Sequence, residues 1–268
     1  MLKDMDDTVL REVTESLATI TLNRPAQLNA LNVAAKEALL AALREAAADS
    51  AVRAVLLTAG GRAFCVGQDL AEHRAALAGE AEPGDAMATV ARHYGPIVRE
   101  IAAMPKPVVA AVQGAAAGAG LGLALAADLR VAGLSASFHT AFAGIGLTAD
   151  SGLSWTLPRA VGAGRAAELL LCPRRIGAEE AERLGLVQRV VPDDALAATA
   201  RELARALAAG PTLAYAALKR SLAFGAAHTL DETLALEAEL QREAGASADH
   251  RAAVEAFLRK GTPRFEGR

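Results

Sequence analysis

The chain has 268 residues, with 28 Lys and Arg against 31 Asp and Glu, a net charge of −3 and two cysteines, Cys65 and Cys172. Such a length buries a full core without staples, the acidic balance leaves no footprint for nucleic acid, and two cysteines are too few for a disulfide framework or a zinc site. The opening MLKDMDDTVL is acidic and lacks an apolar signal core, and no charge-free apolar run reaches ~18 residues, so a cytoplasmic protein with no membrane partner is expected.

Val9–Val13 and Leu17–Leu22 read as two strands joined by a short polar turn. Asn32 is the expected N-cap of a helix running to about Ala48, and Arg53–Thr58 is a short apolar run typical of a buried parallel strand. Ala71–Gly84 mixes charge, Gly and Pro and reads as a mobile loop, with a helix following over Ala86–Met104. Val108–Val112 is the next buried strand. Gly114-Ala-Ala-Ala-Gly118-Ala-Gly120 then makes a tight turn into a helix ending near Ala127, and Asp128–Ala132 is another strand.

A glycine-punctuated stretch continues to Gly152. Beyond Arg165 helices dominate, interrupted by a strand at Leu186–Val191. The tail carries helical patterns at Asp193–Ala208, Pro211–Phe224, Thr229–Gly245 and Ala248–Lys260. Apolar residues reach 53 % while aromatics are only 3 %, so alanine dilutes the periodicity and helix faces are read from Leu, Ile and Val. Strand–helix alternation followed by helices predicts an α/β core with a C-terminal helical appendage. No sequence repeat of fixed period is visible, although β-β-α units could recur structurally.

The glycine turn at 114–120 does not match the G-x-G-x-x-G dinucleotide fingerprint, because Leu123 stands where the third glycine belongs. A helix starting near Gly118 instead directs unpaired N–H groups and a positive dipole end outward, and small residues let a carbonyl approach that backbone. A second donor would come from Phe64-Cys-Val-Gly-Gln-Asp-Leu70, which follows the Arg53–Thr58 strand. Tight strand–helix packing explains the same glycines without chemistry, and composition alone leaves both readings open.

The segments Leu22-Asn-Arg-Pro25, Asn29-Ala-Leu-Asn32, Gly61–Leu70, Pro105–Gly120, Leu157–Gly162 and Ala178–Val191 together resemble the crotonase (enoyl-CoA hydratase/isomerase) superfamily, in order and over nearly the whole chain. The resemblance implies a ClpP-like spiral of β-β-α units over residues 1–200 and a helical trimerisation region over 201–268, assembling as a homotrimer or a hexamer. It implies an acyl-CoA thioester as substrate and no further cofactor. The two oxyanion donors carry over to the amides of Val66 and Ala119.

The resemblance also places Gln27, Leu28, Ala63, Gly67, Gln68, Asp69, Leu70, Gly118, Phe142 and Lys260 around the acyl-CoA. The two glutamates of the family's hydratases fall on Gly122 and Phe142, and neither residue can activate water or deliver a proton. In the family's isomerases an aspartate in the turn Gly146–Gly152 moves the proton; here it is Asp150, expected to be desolvated by Phe142, Leu147 and Trp155. Without the resemblance Asp150 reads as the N-cap of a helix over Ser151–Leu157.

Within the superfamily, Phe64–Leu70, Ala115–Gly120, Ala141-Phe142, Asp150–Trp155 and Gln241–Leu258 are most similar to the ring-1,2-epoxyphenylacetyl-CoA isomerases of phenylacetate catabolism. An acyl-CoA isomerase is therefore expected, with enoyl-CoA hydratase, a dehalogenase with nucleophilic aspartate, and a non-catalytic thioester binder as alternatives. Asp69 is expected to fix its turn, and Cys65 to be a buried small apolar side chain. Tyr94 would either cover the acyl pocket or pack in the core. Lys260 would contact CoA phosphates or stand solvated. His73, His93, His139, His228 and His250 lack metal-ligand spacing; His139 lies close enough in sequence to reach the pocket.

Overall fold

The computed structural model describes residues 8–78 and 85–268. Strands β1 (Val9–Thr14) and β2 (Leu17–Leu22) form an antiparallel hairpin whose turn residues, Glu15 and Ser16, both have positive φ, the backbone twist that two-residue hairpins need. Asn32 caps helix α1 (Val33–Ala48) by accepting from the Ala35 amide at 2.9 Å. Strand β3 (Ala54–Ala59) follows, then α2 (Leu70–Leu77), a π-helical turn at Val90–Tyr94 and α3 (Gly95–Ala103).

Strands β4 (Val108–Val112) and β5 (Ala115–Ala117) lead into α4 (Ala119–Ala126); β6 (Leu129–Gly133) and β7 (Ser137–His139) lead to α5 (Leu153–Val161) and α6 (Ala163–Leu171). After β8 (Ile176–Gly177), α7 (Ala178–Leu184) and β9 (Arg189–Val191) come four helices: α8 (Leu196–Ala208), α9 (Thr212–Gly225), α10 (Leu230–Gly245) and α11 (Ala248–Leu258).

Two sheets result, ordered β1-β2-β3-β4-β6-β9 and β5-β7-β8. β4 and β6 join the first sheet, and the strand after each joins the second. Cys65, beyond β3, bridges to Ala116 of β5 in the same manner. Each turn of the chain therefore adds a strand to both sheets before a helix closes it: the β-β-α spiral, recurring in space without a sequence repeat.

The strands from β2 onward in the first sheet run parallel; β4 throughout and β3 over Ala54–Leu57 are buried on both faces, which is why they read as short apolar runs. Val55 and Leu57 point to the main core, whereas Ala54 and Leu56 meet Leu196, Ala200 and Ala204 on α8. The expected boundary at residue 200 therefore falls inside a helix that belongs to the sheet's packing. Helices α9 and α10 pair with each other and leave Leu218, Leu222, Leu230 and Leu234 exposed.

The chain's end is tied down. The carboxylate of Asp249, only 3 % exposed, accepts from the Glu266 and Gly267 amides at 2.6 and 2.9 Å, and Arg53 donates to the Phe265 carbonyl at 2.9 Å.

Several expectations need correction. The stretch read as a loop over 71–84 opens with α2, because the Asp69 carboxylate caps it by accepting from the Ala71 and Glu72 amides; residues 79–84 lie outside those described. The turn at 114–120 contains the strand β5, with Gly118 alone turning into α4. The later strand is confined to Arg189–Val191. Helix α5 begins at Leu153, and Asp150 is not its cap, since Gly152 holds that position.

Candidate functional site

A cavity of about 400 Å³ opens where the two glycine bends meet; its walls include Val66, Gly67, Gln68, Leu70, Tyr94, Gly118, Ala119, Phe142, Leu147 and Asp150. The first bend is anchored by Cys65, which donates its amide to Ala115 O at 3.1 Å and accepts from Ala117 N at 2.9 Å. The second turns at Gly118, whose φ of +52° favours glycine and whose amide donates to His139 O at 3.0 Å.

The bends lie in backbone contact. A Cβ on Gly67 would stand 3.3 Å from Ala119 N, and one on Gly120 would collide with the Cys65 carbonyl. These glycines thus serve the tight packing of the two bends. Among the described residues no acceptor meets the N–H of Val66 or of Ala119. The latter begins the fully buried α4, where dipole and free amides favour negative charge.

Asp150 lines the same cavity, half-buried. Ser151 and Gly152 follow it with φ of +50° and +72°, so the chain reverses there and presents the carboxylate to the cavity before α5 starts. Burial pushes its carboxyl above the usual carboxylate range, against the Ser151 hydroxyl, which donates to Oδ1 at 2.7 Å and favours the ionised form. Phe142 and Leu147 supply the expected apolar wall. Trp155 does not: it is 47 % exposed, and the Arg159 guanidinium lies 4.0 Å from its ring centroid.

Of the two places to which the resemblance assigns the hydratase glutamates, the first is crowded, since a Cβ on Gly122 would come within 2.6 Å of Ser151 Cβ and of its carbonyl oxygen. Phe142, 7 % exposed, fills the second. Asp150 is thus the only carboxylate among the described residues that line the cavity.

Gln27, Leu28, Ala63, Asp69 and Lys260 are outside this lining. Gln27 is exposed, and Leu28 has positive φ at the end of a 3-10 turn. Ala63 is buried, its carbonyl accepting from Asn29 Nδ2 at 2.8 Å. Asp69 caps α2 and pairs with Arg24 at 2.9 Å, partners that hold its carboxyl below the usual range despite partial burial. Lys260 is exposed just past α11, and its amide donates to Phe257 O. His139 does not reach the cavity lining. Cys65 is fully buried and its thiol is pushed up to about 12, so it is no nucleophile. Among the described residues no three His, Cys, Asp or Glu side chains are placed to share a metal ion, and no helix is long and apolar enough to cross a membrane.

Sequence reasoning missed a polar cluster behind Gln68. The Lys36 side chain is fully buried and donates to Gln68 Oε1 at 3.1 Å and Thr89 Oγ1 at 2.7 Å, while Glu72 lies 3.5 Å away. Tyr94 donates to the same Gln68 oxygen at 2.7 Å, so it both packs in the core and walls the cavity. A lysine on the α1 face that buries Ala35, Leu39 and Leu43 was the available signal.

The profile of the family described as enoyl-CoA hydratase/isomerase matches residues 12–268. A Rhodobacter capsulatus protein named provisionally as an enoyl-CoA hydratase is 48 % identical, covering 97 % of this chain and 98 % of its own. The 1,2-epoxyphenylacetyl-CoA isomerase of Escherichia coli is 43 % identical over 98 % of this chain and its full length. Among solved structures, the enoyl-CoA hydratase from Bacillus anthracis superposes with a TM-score of 0.91 at 32 % identity, covering 97 % of this chain and 100 % of that one.

Proposed function

The chain belongs to the enoyl-CoA hydratase/isomerase family, and from that premise we propose that it is an acyl-CoA isomerase with Asp150 as its single proton shuttle. Membership makes it a family enzyme acting on acyl-CoA thioesters. The observation carrying it is a lone carboxylate lining the same cavity as two residues, Val66 and Ala119, whose amides lack acceptors among the described residues.

A thioester oxygen set between the Val66 and Ala119 N–H groups would gain negative charge as a proton leaves the α-carbon. Each donor of this kind contributes about 2.7–4 kcal/mol to the transition state. Asp150 would take a proton from one carbon and return it at another, which needs no second acid and no cofactor. Its raised pKa keeps the protonated form accessible for the return step. For a ring epoxide the same group would assist opening and rearrangement, the chemistry suggested by the Escherichia coli relative's name.

Hydration requires one group to activate water and another to protonate carbon, and the two places of the family's glutamates hold Gly122 and Phe142. Hydratase is nevertheless the second reading, favoured by the name of the 48 % identical relative. The replacement Asp150→Asn separates them. Double-bond migration on a 3-enoyl-CoA, or conversion of the ring epoxide, should fall roughly 10²–10⁴-fold. Unchanged migration would remove Asp150 from the mechanism, and water addition to crotonyl-CoA that survives the change would establish the hydratase. Tight acyl-CoA binding without any turnover would mark a non-catalytic homologue. The exposed leucines on α9 and α10 support the homotrimer or hexamer expected of residues 201–268, which light scattering of the purified protein tests.

A further inference from the structure

The cluster around Lys36 is not used by the proton chemistry, yet it forms part of the cavity wall through Gln68, Thr89 and Tyr94. The orientation of the Gln68 amide in it is fixed by one fact: an ammonium group only donates. The amide atom 3.1 Å from Lys36 Nζ must therefore be the oxygen of Gln68, and Tyr94 OH donates to that same atom. The amide nitrogen faces the Glu72 carboxylate at 3.2 Å, which can only accept. Thr89 Oγ1 accepts from Lys36 at 2.7 Å and lies 2.9 Å from His93 Nδ1. Gln68 cannot flip without setting an ammonium against an NH2 group and a carboxylate against a carbonyl.

With both lone-pair directions of Oε1 and one Nε2–H engaged, the second Nε2–H of Gln68 meets no acceptor among the described residues. We infer that Lys36 and Tyr94 are positioning residues that lock Gln68 with this donor toward the cavity, and that Gln68 thereby selects acyl groups bearing a hydrogen-bond acceptor, such as a ring oxygen. The inference rests on the reading of the cavity as the acyl site. Beside His73 and Asp150 the rest of its lining is largely apolar, so a fixed donor discriminates there: an acyl group without an acceptor leaves it unpaired.

The test is calorimetric titration with two non-reacting thioesters, an arylacetyl-CoA and the same ester with one ring hydroxyl. The unmodified protein should bind the hydroxylated ester about two- to tenfold more tightly, the range of one net hydrogen bond. Gln68→Leu and Lys36→Met should each bring that ratio to one, and the double variant should lower it no further than either alone. Should Lys36→Met fail to fold, Tyr94→Phe removes one donor to the same oxygen, keeps the ammonium, and should reduce the ratio. Equal affinity of the unmodified protein for both esters, a ratio that survives Gln68→Leu, or a Lys36→Met variant losing both esters alike would overturn the assignment. Failure to bind either ester would remove the acyl-CoA reading as well, so the two failures are distinguishable.

Discussion

Replacing Gly122 by alanine tests whether a side chain at the first hydratase position is compatible with this fold. The substitution places a methyl group 2.6 Å from both the Cβ and the carbonyl oxygen of Ser151. An exposed helical glycine gains about 1 kcal/mol on becoming alanine, but overpacking a full core costs about 1–3 kcal/mol. Relief is difficult because Ser151 sits in a reversal of left-handed residues and is 4 % exposed. The cost should fall in the upper part of that range, giving a net loss of about 1–2 kcal/mol and a fall in Tm of roughly 2–8 °C.

Any shift of Ser151 also moves the hydroxyl that donates to Asp150, so turnover of a 3-enoyl-CoA should fall beyond what lost folded protein explains. Gly122→Glu should be worse on both counts. Differential scanning calorimetry and a turnover assay on the same preparations check this. A Gly122→Ala protein with unchanged or higher Tm and full activity would refute the packing argument. A well-folded Gly122→Glu protein that hydrates crotonyl-CoA would refute the steric exclusion of hydratase chemistry.

Asp150→Asn should raise Tm at neutral pH, with the gain shrinking as pH falls toward the ordinary carboxylate range. The folded pKa lies above the unfolded one, so the native state binds the extra proton and wild-type stability is lost as pH rises through the folded value; a lower Tm for the variant at neutral pH would contradict the desolvation argument. Asp249→Ala leaves the amides of Glu266 and Gly267 without their acceptor and should cost about 1–3 kcal/mol per unsatisfied group, visible as faster hydrogen exchange at those amides. In the native protein one thiol should react with a disulfide reagent, the exposed Cys172, while the buried Cys65 reacts only after unfolding.

Residues whose backbone needs are unusual were the ones legible in the sequence. Asn32 before an apolar run announced a cap, and the glycines announced bends, because a side chain on Gly67 or Gly120 would press on neighbouring backbone and Gly118 turns at positive φ. The parallel strands β3 and β4 were visible as short apolar runs, since burial on both faces removes alternation. Features that depend on tertiary placement were hidden. Helix α2 buries no side chain, so its charged sequence carries no helical stripe and only the Asp69 cap marks it. Trp155 looked like a pocket wall from its nearness to Asp150 in the chain, but one helical turn carries it to the surface beside Arg159. Lys36 was obscured because its partners, Gln68, Thr89 and Glu72, lie 32 or more residues away.

The cavity has two halves of different rigidity. Val66 and Ala119 are fixed by interlocked main chain, where a Cβ on Gly67 or Gly120 would press on backbone, whereas another part of the wall comes from α2 and residues 85–94, held to α1 through the buried Lys36 ammonium group and the Val33 amide, which donates to Glu72 at 2.8 Å. Library design for new acyl groups should therefore randomise Leu70, Met87, Val90 and Ile145 while leaving both bends and Lys36 untouched. Natural drift in substrate range would follow the same division, altering one wall while the electrophilic end of the cavity stays constant.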